Sequence, residues 1–304
     1  MCRDRAKDWH DHVAATGNEC ERHRASCCEN KPRRSHLTAH LLCLACRMLW
    51  SRLLPTFTHL AAAIMITPTT IRLLAQDNNQ RGDLFTRLIK DLFFALGYDD
   101  LQENEHKTGR ELDIQGQHRQ EPRRMVAECK AHQKKMGGRE LNTFLGALTR
   151  ERSKGGEVTG YFVSLGGFTG SGRQQEQESD RNRVILLDAM QVINELVRSK
   201  VVIDLPAAYE KAGACRQFCQ QEQVGPDTAP ACDGAELLGT RRGYVWVIYY
   251  AHNKQRSHFA MIHADGTPLA QAVADSLLAG PAIDDDVAWA QEVKALQYLA
   301  PPAY

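Results

Sequence analysis

The sequence predicts an α/β fold, a sandwich with a central mixed β-sheet flanked by helices, plus a small C-terminal α+β module. Three observations carry this. Between residues 81 and 198, helical and strand-like segments follow in the order helix, strand, strand, strand, helix, strand, helix, strand, helix, the pattern of helices layered on a sheet. Val158 to Leu165 form a near-continuous apolar run, as expected of a buried central strand. A second pair of strand-like runs, 243–251 and 257–263, lies beyond a stretch of different composition.

The first helix is expected over 81–96. Leu84, Leu88, Leu92 and Leu96 recur every four residues, with Phe85, Ile89 and Phe93 on an adjoining stripe, and Gly97 follows as a stop. A short strand is expected from Tyr98, then strands over 111–117 and 124–131. Gln120-Glu-Pro-Arg123 reads as the turn that makes the last two an antiparallel hairpin. A helix over 139–152 carries Leu141, Phe144, Leu145 and Leu148 on one side and ends at Lys154-Gly-Gly. After the apolar run come a glycine-rich turn at 166–172, a polar helix from Arg173, a strand at 184–187 and a helix over 189–198. Residues 206–240 bring prolines and glycines and read as a linker with a helix inside. The later hairpin and a helix over 269–278 make up the module at 241–304.

The hairpin carries the chemistry. Side chains alternate across a strand, so Glu128 and Lys130 share a face and Cys129 points the other way. Asp113 stands on the neighbouring strand. Two carboxylates suit a hard divalent cation, Mg²⁺ with Mn²⁺ as the alternative, joined by the backbone carbonyl of Cys129. Lys130 is placed to orient an attacking water and to stabilise growing negative charge. Charges exposed on a hairpin would give the same pattern. The apolar lead-in Met125-Val-Ala127 argues against that, because it belongs to a buried strand.

The segment 82–202 resembles the PD-(D/E)XK nucleases, in particular the Mrr-like type IV restriction endonuclease domain. The resemblance runs through Phe85 and Leu96-Gly-Tyr98, Glu111-Leu-Asp-Ile114, Ala127-Glu-Cys-Lys130, Phe144-Leu-Gly146, Gly160-Tyr-Phe-Val-Ser164, Gly167-Phe-Thr169 and Ile185-Leu-Leu-Asp188. It implies a restriction-endonuclease-like sandwich and assigns Asp113, Glu128 and Lys130 to the catalytic positions. Many members carry a glutamate just after the first-helix phenylalanine. Here that position is Thr86, and Asp83, one turn earlier, is the candidate replacement or else a first-turn acid favoured by the helix dipole. Glu111 reads as a strand-edge surface charge.

Lys134, Arg139 and Arg173 are the expected DNA phosphate contacts. The 166–173 turn lacks the Gly-Lys-Ser/Thr ending of a P-loop, so a nucleotide is not expected there. The expected function is Mg²⁺-dependent DNA endonuclease activity of the restriction type, in defence against foreign DNA. The alternatives are a Holliday-junction resolvase or repair nuclease of the same fold, or a catalytically inactive DNA-binding module. Expected partners are DNA, a second copy of the chain as a homodimer, and a larger sensor or ATPase region or protein.

The first 64 residues look foreign to the rest. They hold six of the ten cysteines and six of the twelve histidines. Cys43-Leu-Ala-Cys46 lacks the second matched pair that structural zinc needs. Arg47, Arg52 and Pro55 interrupt the apolar stretch from Leu41, so no membrane span is expected. Residues 1–64 are read as a non-native or disordered leader, 65–205 as the nuclease domain, 206–240 as the linker and 241–304 as the C-terminal module. The sparse cysteines after Met65 fit reduced thiols and a cytoplasmic location. A net charge of +1 gives no global pull toward nucleic acid, so DNA affinity has to come from local patches.

Overall fold

The computed structural model describes residues 69–107, 110–178, 184–225, 231–252 and 254–301, all within the unit Leu60–Tyr304. The expected leader, with its CxxC and apolar stretch, lies outside the described residues, as does the Glu111 side chain.

Two five-stranded mixed sheets are present among the described residues. The first has the order β2-β3-β4-β5-β6, built from Tyr98–Lys107, Arg110–His118, Arg123–Lys130, Glu157–Ser164 and Val184–Asp188. Strands β2, β3 and β4 are antiparallel, while β4, β5 and β6 run parallel. Helices α1 (Asn78–Ala95), α2 (Gly138–Ser153), α3 (Gly170–Glu178) and α4 (Ala189–Arg198) accompany it. These match the expected order of elements and the expected α/β class.

The second sheet shows what the linear reading did not. Its order is β1-β7-β8-β9-β10, with β1 at Thr69–Leu73, β7 at Ala231–Thr240, β8 at Gly243–His252, β9 at Gln255–His263 and β10 at Gln297–Tyr298. β1 pairs in parallel with β7, Ile71 opposite Leu237. The stretch expected as a linker with a helix inside holds helices α5 (Leu205–Ala212) and α6 (Ala214–Gln221) and then β7. Helices α7 (Gln271–Ala279) and α8 (Asp284–Lys294) complete the C-terminal part; α8 was not foreseen.

Helix α1 explains how the sheets meet. The Asp77 carboxylate caps it by accepting from the Gln80 amide at 2.8 Å, and Gly97 ends it at φ +94°. Both apolar stripes are buried, because α1 packs on β2 and β4 on one side and on β1 and β7 on the other. One continuous core therefore runs from Ala127 and Val163 through Leu88, Phe93 and Val192 to Trp246 and Ile248. Each such fully buried side chain contributes about 1.5–3 kcal/mol. Asp286 of α8 reinforces the junction by pairing with Arg72 of β1 at 3.2 Å and Arg81 of α1 at 2.8 Å. The opposite face of the second sheet packs Tyr249 and Met261 against Leu278 and Trp289. On the other face of the first sheet, Val126, Phe162 and Leu186 pack with Phe144 and Leu148 of α2. No helix among the described residues is long and apolar enough to cross a membrane.

Candidate active site

The first sheet forks at the expected site. β3 and β4 remain paired up to Ile114 and Ala127, where their ladder ends. Beyond that pair β3 continues beside β2, with Leu112 opposite Glu105, and β4 continues beside β5, with Lys130 opposite Ser164. Asp113 and the run Glu128-Cys129-Lys130 lie at the opening of the fork. A fork exposes backbone groups that a ladder would have satisfied, and one is taken up locally: the Cys129 amide donates to Asp113 Oδ2 at 2.6 Å. In a strand the N–H and C=O of one residue point to the same edge. The Cys129 carbonyl is thus turned toward Asp113 as well, while the Lys130 carbonyl faces β5 and accepts from Leu165 at 3.1 Å.

Glu128 and Lys130 share a face, as alternation requires, and Lys130 Nζ donates to Glu128 Oε1 at 2.7 Å. Their side chains are 19% and 31% exposed, so both can be reached from outside. Cys129 packs toward the core on the other face. Burial, reinforced by the negative charges of Asp113 and Glu128 and opposed by Lys130, pushes its thiol well above the usual range. Cys129 is therefore a neutral thiol, suited neither to nucleophilic attack nor to soft-metal binding through sulfur.

The Asp113 and Glu128 carboxylates and the Cys129 carbonyl are hard oxygen donors, of the kind a hard divalent cation takes. No group of three His, Cys, Asp or Glu side chains able to hold a metal exists among the described residues.

The chain after β4 is stitched to the glycine-rich turn after β5. Gly166 donates to the His132 carbonyl at 3.1 Å, Met136 to Gly167 at 2.9 Å and Thr169 to Met136 at 2.9 Å. A Cβ at Gly166 would sit 2.4 Å from the Lys134 carbonyl oxygen, so only glycine permits this approach. The stitching holds exposed Lys134 and Lys135 just past the fork, and Arg139 is exposed at the start of α2. Amide hydrogen bonds at that helix start, helped by the charges of Lys134 and Arg139, hold the Glu140 carboxyl below its usual range.

Two expected site residues stand apart from the fork residues. Asp83 is exposed on α1 and forms no hydrogen bond or ion pair among the described residues. Because α1 begins at Asn78, Asp83 lies beyond the first turn, so the helix-dipole reading falls too. Thr86, at the family's glutamate position, is buried. Arg173 is turned inward. It bonds Asp188 Oδ2 at 2.6 Å, Gln191 Oε1 at 2.7 Å, Glu176 Oε2 at 3.2 Å and the Leu186 carbonyl at 3.2 Å, and it lies over the Phe168 ring. Its donors lock α3 to β6 and α4 and are spent inside the fold. The glycine-rich turn next to it signalled a phosphate contact; Glu176, three residues on along the same helix, was the local hint of a partner, while nothing local revealed Asp188. Reasoning from spacing also missed the Cys129 amide, whose need for an acceptor follows only from where the ladder ends.

A mixed sheet in this order, accompanied by helices, makes the segment an α/β sandwich. Residues 78–196 match the family model described as restriction endonuclease, the Mrr catalytic domain. Among solved structures, a repair endonuclease from Pyrococcus abyssi is similar at 16% identity and a TM-score of 0.30, over 38% of this chain and 49% of that one. A protein of unknown function is similar at 13% identity and a TM-score of 0.32, over 48% of this chain and 91% of the other. An EndoMS–double-stranded DNA complex is similar at 15% identity and a TM-score of 0.27, over 34% and 44%. The match thus spans about half the length of the repair endonuclease. A search of curated proteins finds no match.

Proposed function

We propose that this protein is a Mg²⁺-dependent DNA endonuclease of the restriction type, acting in the cytoplasm in defence against foreign DNA. The observation that carries the reading is the convergence of Asp113, Glu128 and Lys130 at the fork of β3 and β4, inside a segment of a nuclease family.

Asp113, Glu128 and the Cys129 carbonyl would hold the divalent cation, which supplies Lewis-acid stabilisation of the phosphate when bound. Lys130 orients water toward phosphorus and places a fixed positive charge beside the developing negative charge. Glu128 keeps the Lys130 ammonium in position through the 2.7 Å contact. One P–O ester bond breaks as water adds, and the departing oxygen takes up a proton. Lys134, Lys135 and Arg139 grip neighbouring phosphates. A second copy of the chain would allow both strands to be cut, and a sensor or ATPase region or protein would control cutting.

Purified protein incubated with plasmid DNA and Mg²⁺ or Mn²⁺ tests the reading. Cleavage is expected with either cation and is lost on chelation. Lys130→Ala is expected to slow it at least about 100-fold while DNA affinity stays within a few-fold, since the lysine acts on the transition state. Full nicking by Lys130→Ala refutes the assignment. Linear, methylated, mismatched and branched substrates compared side by side separate restriction from repair or junction resolution.

A further inference from the structure

The face of the first sheet that bears Glu128 continues away from the fork as a row of amides, beginning next to Asp113. On β3, Gln115 and Gln117 follow Asp113 at two-residue steps. On β4, Val126 and Arg124 precede Glu128 at the same step, so these three share one face with Gln115 and Gln117. The register agrees: Gln115 is opposite Val126 on one side and Gln102 of β2 on the other, and Gln117 is opposite Arg124. Helix α2 covers this face over β5 but leaves a shallow cleft of about 140 Å³ over the hairpin, lined by Asp100, Gln102, Gln115, Gln117 and Arg124.

We propose that this amide-lined cleft contacts base edges of duplex DNA beside the cleaved phosphate and sets sequence preference; the proposal rests on the DNA-nuclease reading above. The charge pattern argues for bases over backbone. Phosphate binding calls for unneutralised Lys or Arg. Here Arg124 lies 3.7 Å from Glu151 and donates to the Glu151 and Gly155 carbonyls, and Asp100 adds negative charge at the rim. The basic residues are instead gathered at the fork end. A glutamine amide offers a donor beside an acceptor, which matches the N6/N7 edge of adenine, and a β-ribbon fits the major groove. Gln117 is held in place because its amide nitrogen donates to the Arg123 carbonyl at 3.0 Å and the Glu121 carbonyl at 3.4 Å, so it meets a base through its oxygen alone, as an acceptor. Asp113 to Gln117 is four residues, about 13 Å along the strand. That is about four base pairs of duplex at ~3.4 Å each.

Sequences bound from a randomised duplex pool by Lys130→Ala protein, with and without Gln102→Ala, Gln115→Ala or Gln117→Ala, give the test. The parent is expected to enrich a base preference within about four pairs of the cut position seen with wild-type protein. Each glutamine variant is expected to flatten part of that preference, losing about 5- to 50-fold in affinity for the preferred duplex, with the slope of affinity against salt unchanged. Gln102→Ala alters an exposed position and serves if an inner variant fails to fold. Selective binding through the glutamines without cleavage by wild-type protein would refute the nuclease reading and leave this proposal standing. No base preference in the parent, the same preference in every variant, or a shallower salt slope overturns it.

Discussion

The Asp113 carboxylate accepts a hydrogen bond from the Cys129 amide at 2.6 Å, across the point where β3 and β4 stop pairing. One side chain both closes the end of the ladder and presents its charge to the gap.

These two roles separate by substitution. Asp113→Asn keeps an acceptor oxygen but loses the charge. Its melting temperature is expected to stay within a few degrees of wild type while cleavage falls at least about 100-fold and the calorimetric Mg²⁺ signal disappears. Asp113→Ala also leaves the Cys129 amide unsatisfied and is expected to lose about 1 kcal/mol of stability, since the site is only partly buried. Undiminished Mg²⁺ binding in both variants would move the metal elsewhere.

Asp83→Ala is expected to leave the cleavage rate within about twofold of wild type. The residue is exposed on α1 and bonds none of the fork residues. A loss comparable to that of Asp113→Asn would show that substrate or cation recruits Asp83.

Gly166→Ala is expected to destabilise the fold by about 2 kcal/mol, because the new methyl meets the Lys134 carbonyl at 2.4 Å and both segments must part. The strain falls on the loop that follows Lys130, so DNA affinity should weaken as well. Urea unfolding and DNA titration on the same sample read both. A fully stable variant with unchanged DNA affinity would mean that the loop is free to move.

Alkaline stability should be limited by tyrosines. Burial holds the hydroxyls of Tyr161, Tyr244 and Tyr249 above their usual range, with added contributions from Tyr98, Asp91 and the Glu236 charge respectively, and pushes Tyr298 up to about 12. A raised folded pKa means that the native state keeps its proton while the unfolded chain ionises near ~10. The stabilisation is therefore complete below about pH 10 and is lost as pH rises beyond it. Melting temperature followed by circular dichroism should fall above that pH, and less steeply in Tyr244→Phe. Equal slopes for the two proteins would remove Tyr244 from the account.

Local features of the sequence determined the α/β class, the boundaries of α2, β5 and α4, and the placing of Asp113 on one strand with Glu128 and Lys130 on the next. Periodicity, strand alternation and spacing operate within a few residues, so they are visible without a fold. The tertiary structure alone decided the rest. β1 pairs with β7 across more than 150 residues of chain, Ile71 with Leu237, and a parallel pairing leaves no turn between its strands to announce it. Both stripes of α1 are buried because a sheet lies on each side, whereas its sequence shows only that they are apolar. Asp83 and Arg173 had suitable chemistry at suitable places in the chain. Their roles depended on direction, outward to solvent for one and inward to Asp188 for the other. Direction is set by how packed elements are rotated against each other, and no short window of sequence contains that information.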